Sequence, residues 1–580
     1  MVTSAAFAQY IPFLVAACCS TLAVAQNATT LTDSPIVTIS RFGQIQGNRS
    51  QYINSVYNFK NISYASAPSG ANRWRHPPHP SPWTGIRDAT QFGPVCPQKS
   101  LGASPDPPYQ SEDCLSLNIW TPANASLNNV VNNTQGVGVI PGSGASKYPV
   151  YVWIYGGRFS GGSASDARYE GAGLAAKGVV VVTMNYRLGA LGFLAHPELS
   201  NSSRSGTSGN YGLVDQQAAL HWTNENIASF GGDPTRITIG GQSAGAASVI
   251  ANLNSPLAKG LFTGVIAESG VRYSSDPLIG SVAQSYRNLS TAEEQGVAFL
   301  KSLNVSTIEE ARALPVSVFL AGSNGVDTTF DNTPLANNSI YGDPPLFRPV
   351  LDGYVLPRTY NETLRTGQHA GVSVMTGNNK DESGASPNPG YNTTSYTAVN
   401  EATFGSVGLA DQFFSLYPAS SANSSQNPDN SSNAFYRDAE RVGTWLWANE
   451  YSAGAASNPV YNAGQNASGS VFTYYWTHAP PGQSQGAYHM SEINYAFNNL
   501  YATDSPWTAQ DYQIADTLST YWANFIATGN PNGPGLITWP ENKADSPNTM
   551  EVGNAWKPIP VADQSHIEFV REWFSKWPTH

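Results

Sequence analysis

Charged side chains are scarce in this sequence, and basic ones are scarcer than acidic ones. Only 12% of the 580 residues are Asp, Glu, Lys or Arg, and 29 basic side chains stand against 40 acidic ones, giving a net charge of −11. Proteins bind nucleic-acid backbones by displacing counterions with clustered Lys and Arg. Because the sequence has no basic run, it argues against a nucleic-acid partner and against attraction to an anionic membrane.

Long apolar runs are also missing, apart from a short one near the N-terminus. Residues 11–19 are apolar but too few to cross a bilayer, and the Ala-Val-Ala at 23–25 fits a signal-peptide cleavage site. No Lys or Arg precedes this core, and the polar C-terminal residues exclude a GPI signal. We therefore predict a signal peptide over residues 1–25 and one secreted, extracellular domain over residues 26–580, with no stable membrane anchor.

Cysteine is rare. Of the four cysteines, Cys18 and Cys19 lie in the predicted signal peptide, which leaves Cys96 and Cys114 in the mature chain. An even pair in an oxidising compartment predicts a disulfide, which would stabilise the fold by about 3 kcal/mol. No group of Cys, His and carboxylate residues has the spacing of a metal site, so we expect no bound metal.

N-x-S/T sequons, in contrast, are abundant, with about fourteen along the chain. In a secreted protein this density predicts a heavily glycosylated surface. The predicted N-glycan sites are Asn27, Asn48, Asn61, Asn124, Asn201, Asn288, Asn304, Asn361, Asn392 and Asn466.

Short apolar, β-branched segments alternate with helical ones along the chain. This alternation predicts an α/β fold with a large, mainly parallel central sheet flanked by helices. The predicted strands are residues 115–120, 150–155, 179–183, 237–239, 264–267, 372–376 and 471–476; the helices are 212–230 and 512–527; and 36–47 is a hairpin. We interpret residues 124–147 as a surface insertion, 275–345 as helix and loop, and 383–434 as long loops.

The most informative stretch is ITIGGQSAG at residues 237–245. An apolar strand, a Gly-x-Ser-x-Gly turn and a helix rich in small residues form the context of a nucleophile elbow, which exposes Ser243 at the top of a sheet. The motif alone is weak, because a chain rich in Gly and Ser often contains one by chance. Elsewhere, WIYGGRFSGG at 153–162 runs from a strand into a Gly-rich loop. Backbone N–H groups near Gly157 and Arg158, with that of Ala244, would form an oxyanion hole, each donor contributing about 3 kcal/mol in the transition state.

A serine nucleophile needs a base and an acid that orients it, in the chain order Ser, acid, His. The acid would come from GNNKDESG at 377–384, which directly follows a predicted strand, and this pattern does not choose between Asp381 and Glu382. Four histidines lie downstream, of which His489 sits in a loop soon after the strand at 471–476. The other three are His478, His566 and His580.

Several of these segments together resemble the type-B carboxylesterase/lipase family, which includes the cholinesterases. They are SEDCLSLNIW (111–120), WIYGGRF, NYRLGALGF (185–193), GNYGLVDQQAALHW (209–222), GGQSAGA, PVLDGYVLP (349–357), GNNKDES and GAYHMSEI. The resemblance implies an α/β-hydrolase fold, no cofactor, a Cys96–Cys114 disulfide, and hydrolysis through an acyl-enzyme. It implies these roles: Ser243 as nucleophile, His489 as general base and then acid, Glu382 as orienting carboxylate, and Gly157, Arg158 and Ala244 as oxyanion donors.

The sequence departs from the family pattern at three places. Arg158 replaces the third glycine of the oxyanion segment, from which we hypothesise a preference for acids that carry an anionic or strongly polar group; the alternative is a side chain turned outward into solvent. Gln242 replaces the usual glutamate before the nucleophile. The loop between Cys96 and Cys114 is short and lacks the Trp with which cholinesterases bind choline.

These departures favour a secreted carboxylic-ester hydrolase that acts on small-molecule or lipid-like esters, and they argue against a choline ester. A lipase or sterol esterase of the same mechanism would need a mobile lid, for which this loop is short. A feruloyl-type esterase and a peptidase share the mechanism and stay open. A non-catalytic adhesion protein on this fold is disfavoured, since all three triad residues are present.

Overall fold

The computed structural model describes residues 34–99, 109–125, 127, 147–281, 285–322, 325–328, 331–336, 338, 340, 342–420, 426–458 and 469–580. The predicted signal peptide, most of the predicted insertion at 124–147, and the sequons at Asn27 and Asn466 lie outside these residues. Contacts group residues 34–580 into one compact unit.

An eleven-stranded sheet organises this unit, in the order β16-β15-β14-β13-β10-β9-β7-β8-β6-β4-β3. The strands from β15 to β8 run parallel, and antiparallel pairs form both edges. Outside this sheet, β1, β2 and β5 form a three-stranded sheet, and β11 pairs with β12. The strands of all three sheets are β1 Ile36–Ile39, β2 Gly43–Gln46, β3 Asn48–Arg49, β4 Val56–Ser63, β5 Ile86–Asp88, β6 Ser116–Pro122, β7 Tyr148–Ile154, β8 Val180–Met184, β9 Gly232–Gln242, β10 Gly264–Glu268, β11 Arg287–Asn288, β12 Val350–Leu351, β13 Ser373–Asn379, β14 Val471–Trp476, β15 Asn548–Val552 and β16 Lys557–Pro560.

The α-helices cover the sheet. They are α1 Ala172–Ala176, α2 Gly189–Phe193, α3 Pro197–Ser202, α4 Tyr211–Asn226, α5 Ala244–Asn254, α6 Leu278–Ser281, α7 Leu289–Ser302, α8 Ile308–Ala313, α9 Val316–Gly322, α10 Tyr360–Thr366, α11 Thr393–Asn400, α12 Ala410–Leu416, α13 Pro428–Ser457, α14 Ile493–Ala496, α15 Ala509–Thr528 and α16 Gln564–Ser575.

The central strands are apolar along their length because both of their faces are buried. Every residue of β8 and β10 is buried, as is β7 after its first residue. Val152 of β7 is in register with Val182 of β8 and Ile239 of β9, which forms a continuous apolar row across the sheet. This confirms the predicted central strands and the mainly parallel sheet.

The nucleophile strand is longer than the sequence predicted. We expected residues 237–239, whereas β9 runs through Gly232–Gln242. Because β9 lies between β7 and β10, its backbone is held in the ladder on both sides even at glycines, which have no intrinsic strand preference. The predicted helix at 212–230 is observed as α4 followed by a 3₁₀ turn, Ile227–Phe230.

The interpretation of residues 383–434 as long loops is wrong. This stretch contains α11 and α12, and α13 begins in it. Its Asn and Pro residues start helices instead of breaking them: the side chain of Asn392 accepts a hydrogen bond from Ser395 N, and Asn427 caps α13 with Pro428 in the first turn.

Two further expectations from the sequence were a Cys96–Cys114 disulfide and the lack of a membrane-spanning segment. Cys96 and Cys114 are both buried, and their sulfur atoms are bonded at 2.02 Å. Among the residues described, no helix is long and apolar enough to cross a bilayer.

Candidate active site

Ser243 stands between the end of β9 and the start of α5. It is the residue that precedes α5, and its backbone is left-handed, with φ 59° and ψ −123°. A non-glycine residue in such a conformation is strained by about 1–3 kcal/mol, and this strain occurs preferentially at functional sites. The Ser243 N–H donates to the Glu268 carbonyl at 2.9 Å, which fixes the turn to the neighbouring strand β10.

The glycines on either side of Ser243 are required by close backbone packing. A Cβ atom on Gly241 would lie 2.5 Å from the Ile154 carbonyl oxygen, and one on Gly245 would lie 2.0 Å from the same atom. Strand β9 and helix α5 therefore approach the end of β7 more closely than any side chain permits, as the elbow motif predicted.

The Gly-rich loop after β7 lies directly against this turn. A Cβ atom on Gly156 would come within 2.4 Å of the Gln242 carbonyl oxygen and 3.3 Å of Ala244 N. Gly157, Arg158 and Phe159 all have positive φ, at 115°, 56° and 58°. In the described part of the chain, the N–H groups of Gly157, Arg158 and Ala244 donate to no protein acceptor. Three strained or terminal N–H groups near one serine can bind an oxyanion.

The predicted acid and base are in contact. His489 Nδ1 lies 2.5 Å from Glu382 Oε2. The other oxygen of Glu382 accepts a hydrogen bond from Asn379 N at 2.6 Å, at the carboxyl end of β13. The Glu382 side chain is almost fully buried, whereas 42% of the His489 side chain is exposed. A buried carboxylate thus holds one nitrogen of a histidine that is open to solvent on its other side.

The structure distinguishes the two adjacent acids that the sequence pattern left open. Asp381 accepts hydrogen bonds from Arg437 Nη2 at 2.6 Å and from Ala487 N at 2.8 Å. Asp381 therefore anchors the histidine loop and helix α13, whereas Glu382 is the one of these two acids that contacts the His489 ring.

Two of the other downstream histidines pair with carboxylates as well. His478 Nε2 lies 2.8 Å from Asp511, and His566 Nδ1 lies 2.7 Å from Asp438. Neither pair adjoins the elbow, so a histidine–carboxylate contact by itself does not identify a catalytic base.

The His489 ring lies beside the elbow. Gln242, the residue before Ser243, is buried, and its amide nitrogen is 3.1 Å from His489 Nε2 and 3.3 Å from Nδ1. Within the described residues, Ser243 Oγ forms no hydrogen bond to His489. Such hydrogen bonds are often long in the absence of substrate and shorten in the reacting complex.

The surroundings of His489 favour its protonated form. Burial acts to lower the pKa of His489, but the hydrogen bond and negative charge of Glu382 outweigh it, and Glu492 and Glu440 act in the same direction. The pKa of His489 therefore lies above its ordinary value, which strengthens the imidazole as a base.

Sequence reasoning missed the residues that support Glu382. Arg272, after β10, donates to Glu440 Oε1 of α13 at 2.9 Å and also to the hydroxyl of Ser383. Both charged side chains are buried. Since Arg272 and Glu440 are 168 residues apart, no local pattern could have indicated this contact.

The side chain of Arg158 is exposed and is held by one hydrogen bond to a distant backbone carbonyl. Its Nη2 donates to the Asp343 carbonyl oxygen at 3.0 Å. In the part of the chain that the structure describes, Arg158 makes no ion pair, so its charge is not neutralised by a carboxylate. The exposure of this side chain agrees with the alternative that it turns outward, but its guanidinium is held at the Asp343 carbonyl and is not free in solvent.

Among the described residues, no group of His, Cys, Asp and Glu could hold a metal ion.

The architecture agrees with solved structures of esterases. A PNB esterase superposes on this chain with a TM-score of 0.70 at 28% identity, covering 93% of this chain and 99% of the other. A second PNB esterase structure gives a TM-score of 0.69 at 29% identity, with 93% and 100% covered. Together with the large, mostly parallel sheet flanked by helices, this likeness defines the α/β-hydrolase fold.

Sequence comparisons identify the family. A model of the carboxylesterase family matches residues 33–569. The fumonisin B1 esterase of Sphingopyxis macrogoltabida is 32% identical over 521 residues, which cover 88% of this chain and 85% of that protein. The para-nitrobenzyl esterase of Bacillus subtilis (strain 168) is 31% identical over 525 residues, with 89% and 94% covered. The chain belongs to the carboxylesterase family and is a carboxylic-ester hydrolase, which confirms the resemblance inferred from its motifs.

Proposed function

We propose that this protein is a secreted carboxylesterase in which Ser243, His489 and Glu382 form the catalytic triad. The observation that carries the proposal is the 2.5 Å contact between His489 and Glu382, with the ring packed on the residue that precedes Ser243. A histidine held by a buried carboxylate is a base suited to activate a neighbouring serine.

In this mechanism His489 Nε2 takes the proton of Ser243 Oγ as the oxygen attacks the ester carbonyl. The carbonyl oxygen becomes negative and is bound by the N–H groups of Gly157, Arg158 and Ala244. These donors face no protein acceptor, so they need no rearrangement to receive the charge, and each contributes about 3 kcal/mol.

His489 then donates its proton to the leaving alcohol, and the acyl group stays bonded to Ser243. Water enters, gives a proton to His489 and attacks the acyl carbon, which releases the acid and restores the serine. Glu382 stays ionised throughout and stabilises the imidazolium.

We also propose that the acid half of the substrate carries an anionic or strongly polar group. Arg158 supports this, because its charge has no carboxylate partner among the described residues and its backbone N–H is one of the proposed oxyanion donors. Two of the relatives are named for the hydrolysis of fumonisin B1 and of para-nitrobenzyl esters.

Secretion is part of the proposal. The short apolar segment and Ala-x-Ala site at residues 1–25 support removal of a signal peptide, after which residues 26–580 form the enzyme. The buried disulfide fits an oxidising compartment.

The experiment is hydrolysis of p-nitrophenyl esters of rising acyl length, beside methyl ferulate and an emulsified triglyceride. We expect activity on soluble esters and a loss of at least about 10³-fold in Ser243→Ala. Ser248→Ala is the matched control, since Ser248 lies in helix α5, which directly follows Ser243, but is fully buried.

Undiminished activity of Ser243→Ala would refute the proposed nucleophile. Activity confined to the emulsion would favour a lipase instead.

A further inference from the structure

Met490 directly follows the proposed base His489, and it is half-buried. The other methionines that the structure describes, Met184, Met375 and Met550, are completely buried. The two described cysteines are bonded to each other, so no free thiol in this part of the chain competes for an oxidant. A peroxide in solution therefore reaches the Met490 thioether before the other described sulfur atoms.

The backbone of Met490 is strained. Its φ is 79°, a left-handed conformation that costs a residue with a Cβ about 1–3 kcal/mol and persists only where surrounding contacts hold it. Here the side chain packs against the main apolar core, and the carbonyl oxygen accepts a hydrogen bond from Ile493 N at 3.3 Å. A chemical change in this side chain therefore acts on a strained segment one residue from the proposed base.

Arg168 contacts the Met490 sulfur from another part of the chain, beyond the Gly-rich loop that follows β7. Its Nη1 lies 3.4 Å from Met490 Sδ. Its Nε and Nη2 donate to the two oxygens of Asp166 at 2.9 and 2.5 Å, and its carbonyl oxygen accepts a hydrogen bond from Asn499 Nδ2 at 2.9 Å. The guanidinium is thus oriented by a bidentate ion pair, and its backbone is fixed as well.

Oxidation of Met490 would change its contact with Arg168. Hydrogen peroxide transfers one oxygen atom to Sδ: an S–O bond forms, the peroxide O–O bond breaks, and water is released. The sulfur loses two electrons, which the peroxide gains. The product is a polar sulfoxide, whereas the thioether is apolar and a weak hydrogen-bond acceptor.

The space between the two groups is too small for this oxygen. A guanidinium N–H···O hydrogen bond needs about 2.7–3.2 Å between nitrogen and oxygen, and the S–O bond adds to that length. The separation of Nη1 and Sδ is only 3.4 Å. Because Asp166 holds the guanidinium, the Met490 side chain has to withdraw, and its new polar group also disturbs the packing on the apolar core.

We propose that Met490 is an oxidation site that controls the esterase: its sulfoxide, hydrogen-bonded to Arg168, displaces His489 from Ser243 and lowers the activity. Met490 and Arg168 act through His489 and are therefore positioning residues. The oxidation itself is independent of the proposed triad, and only the loss of activity rests on it.

The first experiment treats the full-length enzyme with hydrogen peroxide and follows each methionine by peptide mass spectrometry, beside the hydrolysis of a p-nitrophenyl ester. We expect Met490 to gain oxygen before Met184, Met375 and Met550. The kcat should fall at least about tenfold as Met490 sulfoxide accumulates, with little change in KM, because displacing a catalytic group by about 1 Å costs about 10²-fold. Oxidation of a buried methionine at the same rate, or complete oxidation of Met490 with kcat unchanged, would overturn the proposal.

Two variants separate oxidation of Met490 from damage elsewhere in the protein. Met490→Leu keeps an apolar side chain of similar volume without sulfur, so its kcat, whatever its starting value, should not fall on treatment with peroxide. Met490→Gln places a polar group of similar length there and should have a low kcat before any treatment. If peroxide inactivates Met490→Leu as fast as the wild type, the proposal is wrong.

Repair of the oxidised wild type gives a test that needs no variant to fold. Methionine sulfoxide reductases with dithiothreitol return the sulfoxide to the thioether, while the dithiol becomes a disulfide and the oxygen leaves as water. The kcat should recover as the Met490 sulfoxide disappears. Untreated enzyme in the same mixture controls for reduction of the Cys96–Cys114 disulfide. Activity that stays lost after complete repair of Met490 contradicts the proposal.

Arg168→Lys tests the part played by the guanidinium. A lysine ammonium on its flexible stem can yield to the sulfoxide oxygen, so this variant should keep several-fold more of its starting kcat after oxidation than the wild type does. Arg236→Lys is the matched control, because Arg236 likewise donates to a neighbouring aspartate, Asp233. Equal relative losses of kcat in Arg168→Lys and the wild type would refute the role of Arg168.

The mass spectrum of Ser243→Ala separates failure of this proposal from failure of the triad. Met490 should be oxidised first in that variant too, and at the wild-type rate, whether or not Ser243 is the nucleophile. Uniform oxidation of all the described methionines would overturn the oxidation site even with the triad intact.

Discussion

At the scale of single residues, Arg158 has a backbone conformation that side chains with a Cβ rarely adopt. Its φ of 56° is followed by 58° at Phe159, so two successive non-glycine residues are left-handed in the proposed oxyanion loop. This strain amounts to about 1–3 kcal/mol per residue and is held by surrounding contacts, among them the bond from Arg158 to the Asp343 carbonyl.

Arg158→Met removes the charge and keeps a long side chain. We expect kcat/KM to fall about tenfold or more on esters whose acid half carries a carboxylate, and to change little on neutral esters of the same size. Arg41→Met is the matched control, since Arg41 is also left-handed (φ 70°) and 80% of its side chain is exposed. An equal loss of kcat/KM on the anionic and the neutral esters would refute the proposed preference.

Glu382→Gln is expected to change both the rate and its pH dependence. The negative charge of Glu382 raises the pKa of His489, and a base works only when it is unprotonated. Without that charge the pKa falls, so the acid limb of kcat/KM should move to lower pH, while kcat drops by about 10²- to 10⁴-fold.

The pH–rate profile on a p-nitrophenyl ester measures both effects. Asp381→Asn serves as comparison, because Asp381 bonds Arg437 and Ala487 and not the ring. If Asp381→Asn moves the acid limb of the kcat/KM profile and Glu382→Gln does not, then Asp381 and not Glu382 is the orienting carboxylate.

At the scale of secondary-structure elements, the Arg272–Glu440 pair ties helix α13 to the loop after β10. Removing Glu440 leaves the buried Arg272 guanidinium with Asp276, at 3.7 Å, as its remaining carboxylate partner. We therefore expect Glu440→Ala to lower the free energy of unfolding by about 2 kcal/mol, less than for a buried charge left with no partner. Glu440→Gln keeps a hydrogen-bonding group of the same shape, so it should lower the free energy of unfolding clearly less than Glu440→Ala does. Urea unfolding measures the stability of both variants. An equal loss of stability in the two would show that it comes from packing and not from the ion pair.

The disulfide acts on the segment that precedes β6. Cys96 and Cys114 are separated by 18 positions, and closing a loop of this size stabilises a fold by about 3 kcal/mol. The double variant Cys96→Ser/Cys114→Ser should therefore unfold at lower urea concentration with its esterase activity retained. A change below about 1 kcal/mol would contradict the loop-closure estimate.

The elements also show what sequence can predict. The strand–turn–helix around Ser243, the Gly-rich loop after β7 and the central strands were predictable because each is encoded by a few adjacent residues. The choice of Glu382 over Asp381 was not available from the residues alone, since it depends on contacts with His489 and Arg437 more than 50 positions away. Helix α13 was missed because the Asn and Pro that begin it also occur in loops.

At the scale of the whole molecule, the surface sequons differ in exposure. Asn201, Asn304 and Asn392 are exposed, whereas the side-chain oxygen of Asn48 is buried. After secretory expression we expect glycans on the exposed residues and lower occupancy at Asn48, which is half-buried and so less accessible. Peptide mass spectrometry measures the occupancy, and the same data should give Gln26 as the N-terminus. Full occupancy at Asn48, or a chain that retains residues 1–25, would contradict this view.

The proposed catalytic residues all follow the carboxyl ends of parallel strands: Gly157 after β7, Ser243 after β9, Glu382 after β13 and His489 beyond β14. Each connecting segment can therefore change in length or composition while the hydrogen-bonded ladder beneath it stays the same. Chimeras in which the segment around Asp343 is exchanged between relatives should consequently inherit the donor's substrate selectivity with the recipient's thermal tolerance. The same arrangement would let substrate selectivity change during evolution while the central sheet that positions the catalytic residues is kept.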